Sequence, residues 1–156
     1  MIEAWRIVKR RYAAQAFDGE GARLFGGRWN SPSRPVVYVS ESRALAALEI
    51  LAGLGTTGAL PAWVLIGVRF PAEIVVGVEE LLDPDGLPEG WNAAPPTFTS
   101  QGIGDRWLEE TVSAVLRVPS VIVPAESNFL LNPRHPAFER IEIGPPEELR
   151  LDPRLV

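Results

Sequence analysis

Proline and glycine constrain the fold of this sequence most, because they recur along the whole chain. The 156 residues include 15 prolines and 14 glycines. Proline removes a backbone hydrogen-bond donor and glycine favours turns, so long uninterrupted helices and strands are disfavoured. The sequence therefore predicts short elements joined by frequent loops.

The clearest local pattern is a strand over residues 35–39, rich in β-branched side chains and bounded by turn formers. Its two-residue period places Val36 and Tyr38 on one face and Val37 and Val39 on the other.

A helix is predicted to follow, capped by Ser40, running from residue 41 to about residue 52 and ending at Gly53. Its buried stripe has residues three or four apart, and they are Leu45, Leu48 and Ala52. Glu49 lies one turn from this stripe and therefore beside it.

The remaining pattern predicts strands over residues 63–70, 73–78, 120–124 and 140–143. A proline-rich loop is expected over residues 83–101, ordered by Trp91 and Phe98. Asp105 is expected to cap a helix running to about Arg117, whose inner face is Leu108, Val112, Val115 and Leu116. Strands and helices mix without a regular alternation, which predicts one compact α+β domain over residues 1–156 with a mixed, largely antiparallel sheet.

Composition narrows the class of protein. Hydrophobic residues make up 46% and charged residues 22%, as in ordinary globular domains. There is no cysteine and one histidine, so only carboxylates remain as metal ligands and no metal site is expected. No apolar run approaches the roughly 20 residues that span a bilayer, so we expect a soluble, cytoplasmic protein. The net charge of −5 argues against nucleic acid as a main partner.

A cluster of basic residues, Lys9-Arg10-Arg11, interrupts this acidic balance. It is interpreted either as a solvated surface patch or as a site for a polyanion.

A glycine-rich stretch over residues 19–30 is the first candidate for ligand binding. Its four glycines allow the backbone to approach a ligand closely, and Arg28 supplies a planar fork suited to phosphate. It is not a dinucleotide-binding fingerprint, because Leu24 stands where the third glycine is required. A ligand loop and an ordinary turn with an exposed arginine both remain open.

Two further polar features are candidates. Glu49 is either a solvated helical residue or a partly buried carboxylate that stabilises a developing cation. Residues 124–136 form a predicted loop with a glutamate, a serine, two asparagines and the single histidine. Such loops are also typical of turns and caps, and His135 is expected to be a turn residue. The sequence lacks the Gly-x-Ser-x-Gly signature of serine hydrolases.

Taken in order, these segments resemble the RES domain family, named for an arginine, a glutamate and a serine. The matching stretches are Trp5-Arg6-Ile7, Gly21-Ala22, Gly26-Gly27-Arg28-Trp29-Asn30, Val36-Val37-Tyr38 with Ser40, Ala44-Leu45-Ala46 with Leu48-Glu49, Gly104-Asp105-Arg106-Trp107-Leu108, Val118-Pro119-Ser120, Glu126-Ser127-Asn128, Asn132-Pro133-Arg134-His135-Pro136 and Asp152-Pro153-Arg154-Leu155. The chain departs from the family pattern at residues 31–35, which lack a frequent glycine, and at residues 52–54, which lack a frequent histidine. Neither departure affects the three naming residues.

The resemblance implies an ADP-ribosyltransferase-like fold and the toxin of a type II toxin–antitoxin system. Such a toxin degrades NAD⁺ by breaking the nicotinamide–ribose bond, by hydrolysis or phosphorolysis. NAD⁺ is then the substrate, and no resident cofactor is expected. The implied partner is an Xre-type helix-turn-helix antitoxin, in a homodimer or a larger toxin–antitoxin complex.

The resemblance also assigns roles to individual residues. Arg28 is expected to bind the pyrophosphate and Tyr38 to stack on nicotinamide or ribose. Glu49 is expected to stabilise the ribosyl cation or to hold a ribose hydroxyl. Ser127 is expected to hydrogen-bond the phosphate or nicotinamide side. The complete set expected around NAD⁺ is Arg28, Trp29, Asn30, Tyr38, Glu49, Ser127 and Asn128.

Two alternatives use the same residues differently. One is an ADP-ribosyltransferase that modifies a protein target, which needs the same NAD⁺ site and an acceptor surface. The other is a catalytically inactive module that only binds its antitoxin.

Overall fold

A computed structural model describes residues 1–54 and 62–155 of the chain. A seven-stranded sheet forms the centre of the fold, in the order β4-β5-β6-β2-β1-β3-β7. The strands are β1 Ile2–Lys9, β2 Val37–Ser40, β3 Trp63–Phe70, β4 Val75–Gly77, β5 Val115–Pro119, β6 Ser127–Leu131 and β7 Glu142–Glu148. Neighbouring strands are antiparallel except for the parallel pair β4 and β5. The expectation of an α+β domain with a mixed, largely antiparallel sheet is confirmed.

Short helices lie between these strands. The α-helices of the described residues are α1 Glu20–Phe25, α2 Arg43–Leu54 and α3 Phe98–Glu109. Short 3-10 helices cover Arg10–Gln15, Ala72–Ile74, Val78–Glu80, Pro136–Arg140 and Pro153–Leu155. None of the described helices is long and apolar enough to cross a membrane. The frequent prolines and glycines thus produce the short elements that the sequence predicts.

Strand β2 separates two apolar cores, and the residues near it alternate between the two sheet faces as predicted. Val37 and Val39 pack with Phe129 on one face of the sheet. Val36 and Tyr38 pack on the other face, in the core that contains Trp107. The strand β3 also has the predicted bounds, and the predicted strand at residues 73–78 is a 3-10 turn followed by the three residues of β4.

Helix α2 is rotated relative to the prediction. The Leu45 N–H donates to the Ser42 hydroxyl at 3.0 Å, so Ser42 and not Ser40 caps the helix. Leu45 is buried as expected, but Leu48 is 41% exposed and Ala52 is exposed. The reason is that α2 packs mainly on β1, which buries Ala46 against Ile7 and Leu65 and brings Glu49 and Ile50 to the sheet.

The predicted helix from Asp105 to Arg117 is wrong in both bounds. Helix α3 begins after Thr97, whose hydroxyl accepts the Thr99 N–H, so the predicted loop over residues 83–101 is too long. The helix ends at Glu109, because Thr111 adopts a left-handed conformation with φ of 50°. Val115 and Leu116 belong to β5, where pairing with two neighbouring strands overrides their helical spacing.

The region around β6 also differs from prediction. Residues 120–124 are an irregular turn, closed by the Ser120 N–H donating to the Glu126 carbonyl at 2.9 Å, and not a strand. The predicted loop over residues 124–136 contains the strand β6. The strand predicted over residues 140–143 begins at Glu142 and continues to Glu148. No element is predicted at the N-terminus, although β1 lies inside the sheet between β2 and β3.

Candidate functional site

A cleft of about 150 Å³ lies where β1, β2 and β6 meet α2. Its lining residues are Trp5, Arg6, Ile7, Tyr38, Ser40, Ala46, Glu49, Ile50 and Asn128. Three of the residues expected around NAD⁺, Tyr38, Glu49 and Asn128, are therefore brought together, although they are far apart in sequence. The cleft combines an acidic, a basic and an aromatic side chain on a mostly apolar floor.

The Glu49 carboxylate is held by two neutral donors. Its Oε1 accepts the Ser120 hydroxyl at 2.8 Å and the Asn128 Nδ2 at 2.7 Å. The Asn128 Oδ1 in turn accepts the Ser40 hydroxyl at 2.7 Å, which fixes the orientation of the amide. Within residues 1–54 and 62–155, the Glu49 Oε2 makes no hydrogen bond, so one oxygen is fixed and the other is available to a ligand.

Tyr38 contributes its ring to the cleft and its hydroxyl to the glycine-rich loop. The hydroxyl accepts the Trp29 N–H at 3.0 Å and donates to the Asn30 Oδ1 at 2.6 Å. Burial raises the pKa of Tyr38 well above its ordinary value. The hydroxyl is therefore neutral and engaged, which leaves the ring as the part that can contact a substrate.

Trp29 and Asn30 are placed inside the protein and do not line the cleft. Trp29 is 2% exposed and Asn30 is fully buried. The Asn30 Nδ2 donates to the carbonyls of Ala22 and Ser31, at 2.9 and 3.1 Å. Both side chains hold the loop in shape.

Helix α3 holds this loop from the other side. The backbones meet at Gly104, where a Cβ atom would lie 1.7 Å from the Trp29 carbonyl oxygen. The Asp105 carboxylate accepts both the backbone N–H and the hydroxyl of Ser31, at 3.0 and 2.5 Å. Arg28 is thus presented from a loop fixed at both ends.

Arg28 lies near the cleft, but its guanidinium is already engaged. Its Nη1 donates to the carbonyls of Trp91 and Ala93, at 3.1 and 2.5 Å. Burial lowers the pKa of Arg28, and the negative charge of Glu49 opposes this shift. The charge of Glu49 acts on Arg28, although no ion pair joins the two side chains among the described residues.

Ser127 is not part of the Glu49 network. By strand alternation and register, Ser127 shares the sheet face of Phe129, whereas Asn128 shares the face of Tyr38. In the described residues the Ser127 hydroxyl has no hydrogen-bond partner, and its carbonyl accepts the Glu41 N–H at 3.1 Å. The serine that contacts Glu49 is Ser120.

Sequence reasoning missed Ser120 and Arg6 as site residues. Ser120 is fully buried, and its oxygen also accepts the backbone N–H groups of Ile122 and Val123, at 3.0 and 3.1 Å. The signal that could have found it is the stretch Val118-Pro119-Ser120, which matches the family pattern as well as Glu126-Ser127-Asn128 does.

Arg6 is the cation among the residues that line the cleft. Its Nε donates to the Ala16 carbonyl at 2.8 Å and its Nη1 to the Tyr38 carbonyl at 2.9 Å. Burial lowers its pKa to about 10, which leaves the guanidinium charged at neutral pH. Arg6 lines the cleft, and its position in the matched stretch Trp5-Arg6-Ile7 is the signal that could have found it.

His135 has a structural role. Its Nδ1 accepts the Ala137 N–H at 3.0 Å and caps the 3-10 helix that begins at Pro136. The turn role expected from the sequence is confirmed.

A larger cavity of about 480 Å³ lies beside α3, against residues 81–82. Phe98, Ile103 and Arg106 are among its lining residues, and none of the residues predicted to bind NAD⁺ lines it. We place the functional site in the smaller cleft because it contains the fixed carboxylate, the aromatic ring and the cation.

Comparisons with known proteins agree with the resemblance seen in the sequence. The sequence model of the RES domain matches residues 3–152. The "Prs ADP-ribosylating toxin" of Sphingobium sp. (strain YBL2) is 38% identical over 154 residues, which cover 97% of this chain and 95% of that protein. The "Toxin Res" of Yersinia enterocolitica is 40% identical over 152 residues, which cover 97% of both.

The fold has a solved counterpart. A chain in the crystal structure of the M. tuberculosis MbcT–MbcA toxin–antitoxin complex superposes with a TM-score of 0.76 and 19% identity, covering 98% of this chain and 85% of that one. At that identity the likeness concerns the fold. The match over residues 3–152 and the relatives of 38 and 40% identity show that this chain belongs to the RES domain family.

Proposed function

We propose that this protein is the toxin of a type II toxin–antitoxin system and that it consumes NAD⁺ by breaking the bond between nicotinamide and ribose. The observation that carries the proposal is the Glu49 carboxylate, whose Oε1 is fixed by Ser120 and Asn128 while its Oε2 is available to a ligand. RES family membership and relatives named as toxins support the same assignment.

The chemistry needs a negative charge more than it needs an acid. Nicotinamide leaves NAD⁺ as a neutral molecule with the electron pair of the broken bond, so the ribose develops the charge of an oxocarbenium ion. A preorganised carboxylate stabilises that charge most in the transition state. Glu49 is held by neutral donors, so its negative charge is not cancelled by a bonded arginine. Water then attacks the ribosyl carbon and releases a proton to give ADP-ribose, or inorganic phosphate attacks to give a phosphorylated ADP-ribose.

The two arginines and Tyr38 bind the rest of the substrate. Arg28 offers its guanidinium to the diphosphate, and Arg6 places a second positive charge at the floor of the cleft. The ring of Tyr38 stacks on nicotinamide or ribose, because its hydroxyl is committed to the loop. Asn128 positions Glu49, and Ser120 takes the serine role that was expected of Ser127, whose side chain lies on the opposite sheet face. NAD⁺ is the substrate, and no bound cofactor takes part.

The partner proposed is an Xre-type helix-turn-helix antitoxin acting in the cytoplasm, in a homodimer or a larger complex. Support comes from the fold, which is shared with a chain of a toxin–antitoxin complex. Co-expression with a small helix-turn-helix protein encoded beside the gene tests this: co-purification and restored growth are expected, and toxicity unchanged by the neighbour contradicts it.

The decisive experiment measures NAD⁺ loss by NMR or mass spectrometry, with purified protein in phosphate and in phosphate-free buffer. We expect Glu49→Gln to lower the rate by about 100- to 1,000-fold, the usual effect of removing one preorganised group that stabilises transition-state charge. The exposed Glu41 is a matched control, since Glu41→Gln removes a charge from the same region and is expected to keep the rate.

The products separate the two chemistries. Loss of NAD⁺ in both buffers with ADP-ribose as the product identifies hydrolysis. Loss of NAD⁺ that depends on phosphate identifies phosphorolysis. Equal rates in Glu49→Gln and Glu41→Gln would contradict the proposed role of Glu49.

Protein ADP-ribosylation is a second candidate, favoured by one specific observation. A relative that is 38% identical along 97% of this chain is named a Prs ADP-ribosylating toxin. In this second candidate function the same bond is broken, but ADP-ribose is transferred to a protein side chain. Incubation of cell extract with labelled NAD⁺ distinguishes the two, because only transfer labels protein. NAD⁺ binding without turnover or labelling would instead support an inactive antitoxin-binding module.

A further inference from the structure

Residues 83–96, called the strap below, connect residues 81–82 to helix α3 and lie against Arg28. Most strap residues are exposed, and Leu87 and Trp91 are those that pack partly against a core. Hydrogen bonds between residues close in sequence form turns within the strap, such as the bond from the Gly86 N–H to the Asp83 carbonyl at 2.9 Å. A segment with few buried contacts opens at a low free energy compared with the core.

Two contacts near Arg28 keep the strap in place. The carbonyls of Trp91 and Ala93 accept both hydrogen bonds of the Arg28 Nη1. The Trp91 ring stacks on Trp29, with centroids 5.9 Å apart and planes inclined by 27°. Since Trp29 is buried in the fixed loop, it is the rigid half of this pair.

The hydrogen bonds that the Arg28 guanidinium makes to the strap compete with those it would make to a diphosphate. A guanidinium Nη1 has two N–H groups, and here both point to strap carbonyls. One nitrogen of the end-on fork made by Nη1 and Nη2, which matches phosphate geometry, is therefore taken by the protein, and the fork cannot hold a phosphate with both nitrogens while the strap is bound.

The size of the cleft also indicates that the strap and the substrate compete for the same place. Its volume of about 150 Å³ is small, whereas sites that enclose a whole ligand of moderate size usually measure about 300–1,000 Å³. A dinucleotide that places its ribosyl carbon at Glu49 extends beyond the cleft, and at Arg28 it meets the two strap carbonyls that already bond the guanidinium.

We propose that the strap competes with the substrate for Arg28 within the same molecule. This proposal rests on the proposed NAD⁺ site. The Trp91 and Ala93 carbonyls of the strap occupy Arg28 until a diphosphate replaces them, and Trp91 is the positioning residue that holds the strap closed. A diphosphate brings negative charge to the guanidinium, whereas the carbonyls bring only dipoles, so the exchange favours the substrate. The free energy needed to open the strap is subtracted from substrate affinity.

The first test measures ADP binding by calorimetry, because ADP has the diphosphate and lacks the bond that is broken. Trp91→Ala loosens the strap and is expected to bind ADP about 3- to 10-fold more tightly than the wild-type protein, the factor that corresponds to a lost aromatic stack. Trp91→Phe keeps a stacking ring and is expected to return most of the way to wild-type affinity. Phe98→Ala, which removes an 88% exposed ring, is the control with unchanged affinity.

Kinetics give a readout that a merely structural role would not change. For NAD⁺, Trp91→Ala is expected to lower KM by a similar factor and to leave kcat nearly unchanged, because the strap touches Arg28 and not Glu49. Weaker ADP binding or a raised KM in Trp91→Ala would overturn the proposal, since it would make the strap part of the binding site.

Hydrogen exchange tests the strap without relying on turnover. Exchange in residues 83–96 is expected to become faster when ADP is added to the wild-type protein, and faster in ligand-free Arg28→Ala. Unchanged hydrogen exchange in both cases overturns the proposal that the strap opens, whether or not the protein consumes NAD⁺. Conversely, ADP binding that opens the strap in a protein that never consumes NAD⁺ would refute the proposed function and retain the strap.

Discussion

At the scale of single residues, the Glu49 carboxylate and the guanidinium groups of Arg6 and Arg28 are not paired with one another. Both arginines donate to backbone carbonyls, and Glu49 accepts from a hydroxyl and an amide. A carboxylate paired directly with a guanidinium would have its charge largely neutralised before the substrate arrived. With neutral donors, its orientation is fixed while its charge remains available to the ribosyl cation.

The two serines of this region give a direct comparison. Ser120→Ala removes a hydrogen bond to a charged oxygen, worth about 1.5–3 kcal/mol, so we expect kcat for NAD⁺ loss to fall by about 10- to 100-fold. Steady-state kinetics of Ser120→Ala and Ser127→Ala, at matched folded content by circular dichroism, measure the difference.

Ser127→Ala is expected to have the smaller effect, because its hydroxyl lies on the opposite sheet face from Asn128. A large loss in Ser127→Ala with normal activity in Ser120→Ala would reverse the assignment. The family resemblance placed Ser127 in the site through the matched stretch Glu126-Ser127-Asn128. The contact of Ser120 with Glu49 depends on the turn between β5 and β6, which brings together residues 71 positions apart. No local sequence pattern indicates that residues so far apart in the chain are in contact.

At the scale of elements, helix α3 acts as a clamp on the Arg28 loop. The clamp works by close approach: at Gly104 the helix backbone packs directly on the Trp29 carbonyl. We expect Gly104→Ala to lower the free energy of unfolding by about 1–3 kcal/mol, the usual cost of overpacking, and to weaken ADP binding through displaced Arg28. Chemical denaturation and calorimetry on the same preparations measure both effects.

The same helix provides the matched control. Gly102 has no atom within 4 Å of the position of an added Cβ. Gly102→Ala replaces glycine in a helix interior and is expected to raise stability by about 0.5–1 kcal/mol with unchanged ADP binding. If the two alanine variants behaved alike, close packing on Trp29 would not be what holds the loop.

Element by element, sequence prediction succeeded where one local pattern dominates. The strand β3 and the alternation of β2 follow from β-branched runs between turn formers. Prediction failed where a helical spacing crosses a real boundary, as at Leu108, Val112 and Val115. There the left-handed Thr111 and the pairing of β5 between β4 and β6 decide the structure. These are a backbone conformation and a long-range pairing, which side-chain periodicity does not encode.

At the scale of the whole molecule, the site depends on the complete sheet. Glu49 comes from α2, its partners from β6 and the turn before it, Tyr38 from β2 and Arg6 from β1. Such a site cannot form from any single segment, and family resemblance located its parts because the resemblance spans nearly the entire chain. The engagement of Arg28 by the strap, 63 and 65 positions away, was not predictable from either source.

A site assembled from the whole fold should report ligand binding through global stability. Glu49→Gln is expected to retain NAD⁺ and not consume it, since glutamine keeps the shape and the hydrogen bonds of the side chain without its charge. At about 100 times the dissociation constant, NAD⁺ adds about 2.7 kcal/mol to stability, which corresponds to a rise in Tm of about 5 to 10 °C for a domain of this size. Differential scanning calorimetry of Glu49→Gln with and without NAD⁺ measures this rise.

Arg28→Ala supplies the comparison for this measurement. Without the guanidinium the diphosphate loses its main charged contact, so the NAD⁺-dependent rise in Tm is expected to be at least halved at the same concentration. A full rise in Arg28→Ala, or none in Glu49→Gln, would mean that NAD⁺ does not bind across this cleft. These two variants therefore separate the two proposed roles: in the proposed reaction Glu49 acts on the bond that breaks, and Arg28 on the part of the substrate that is only held.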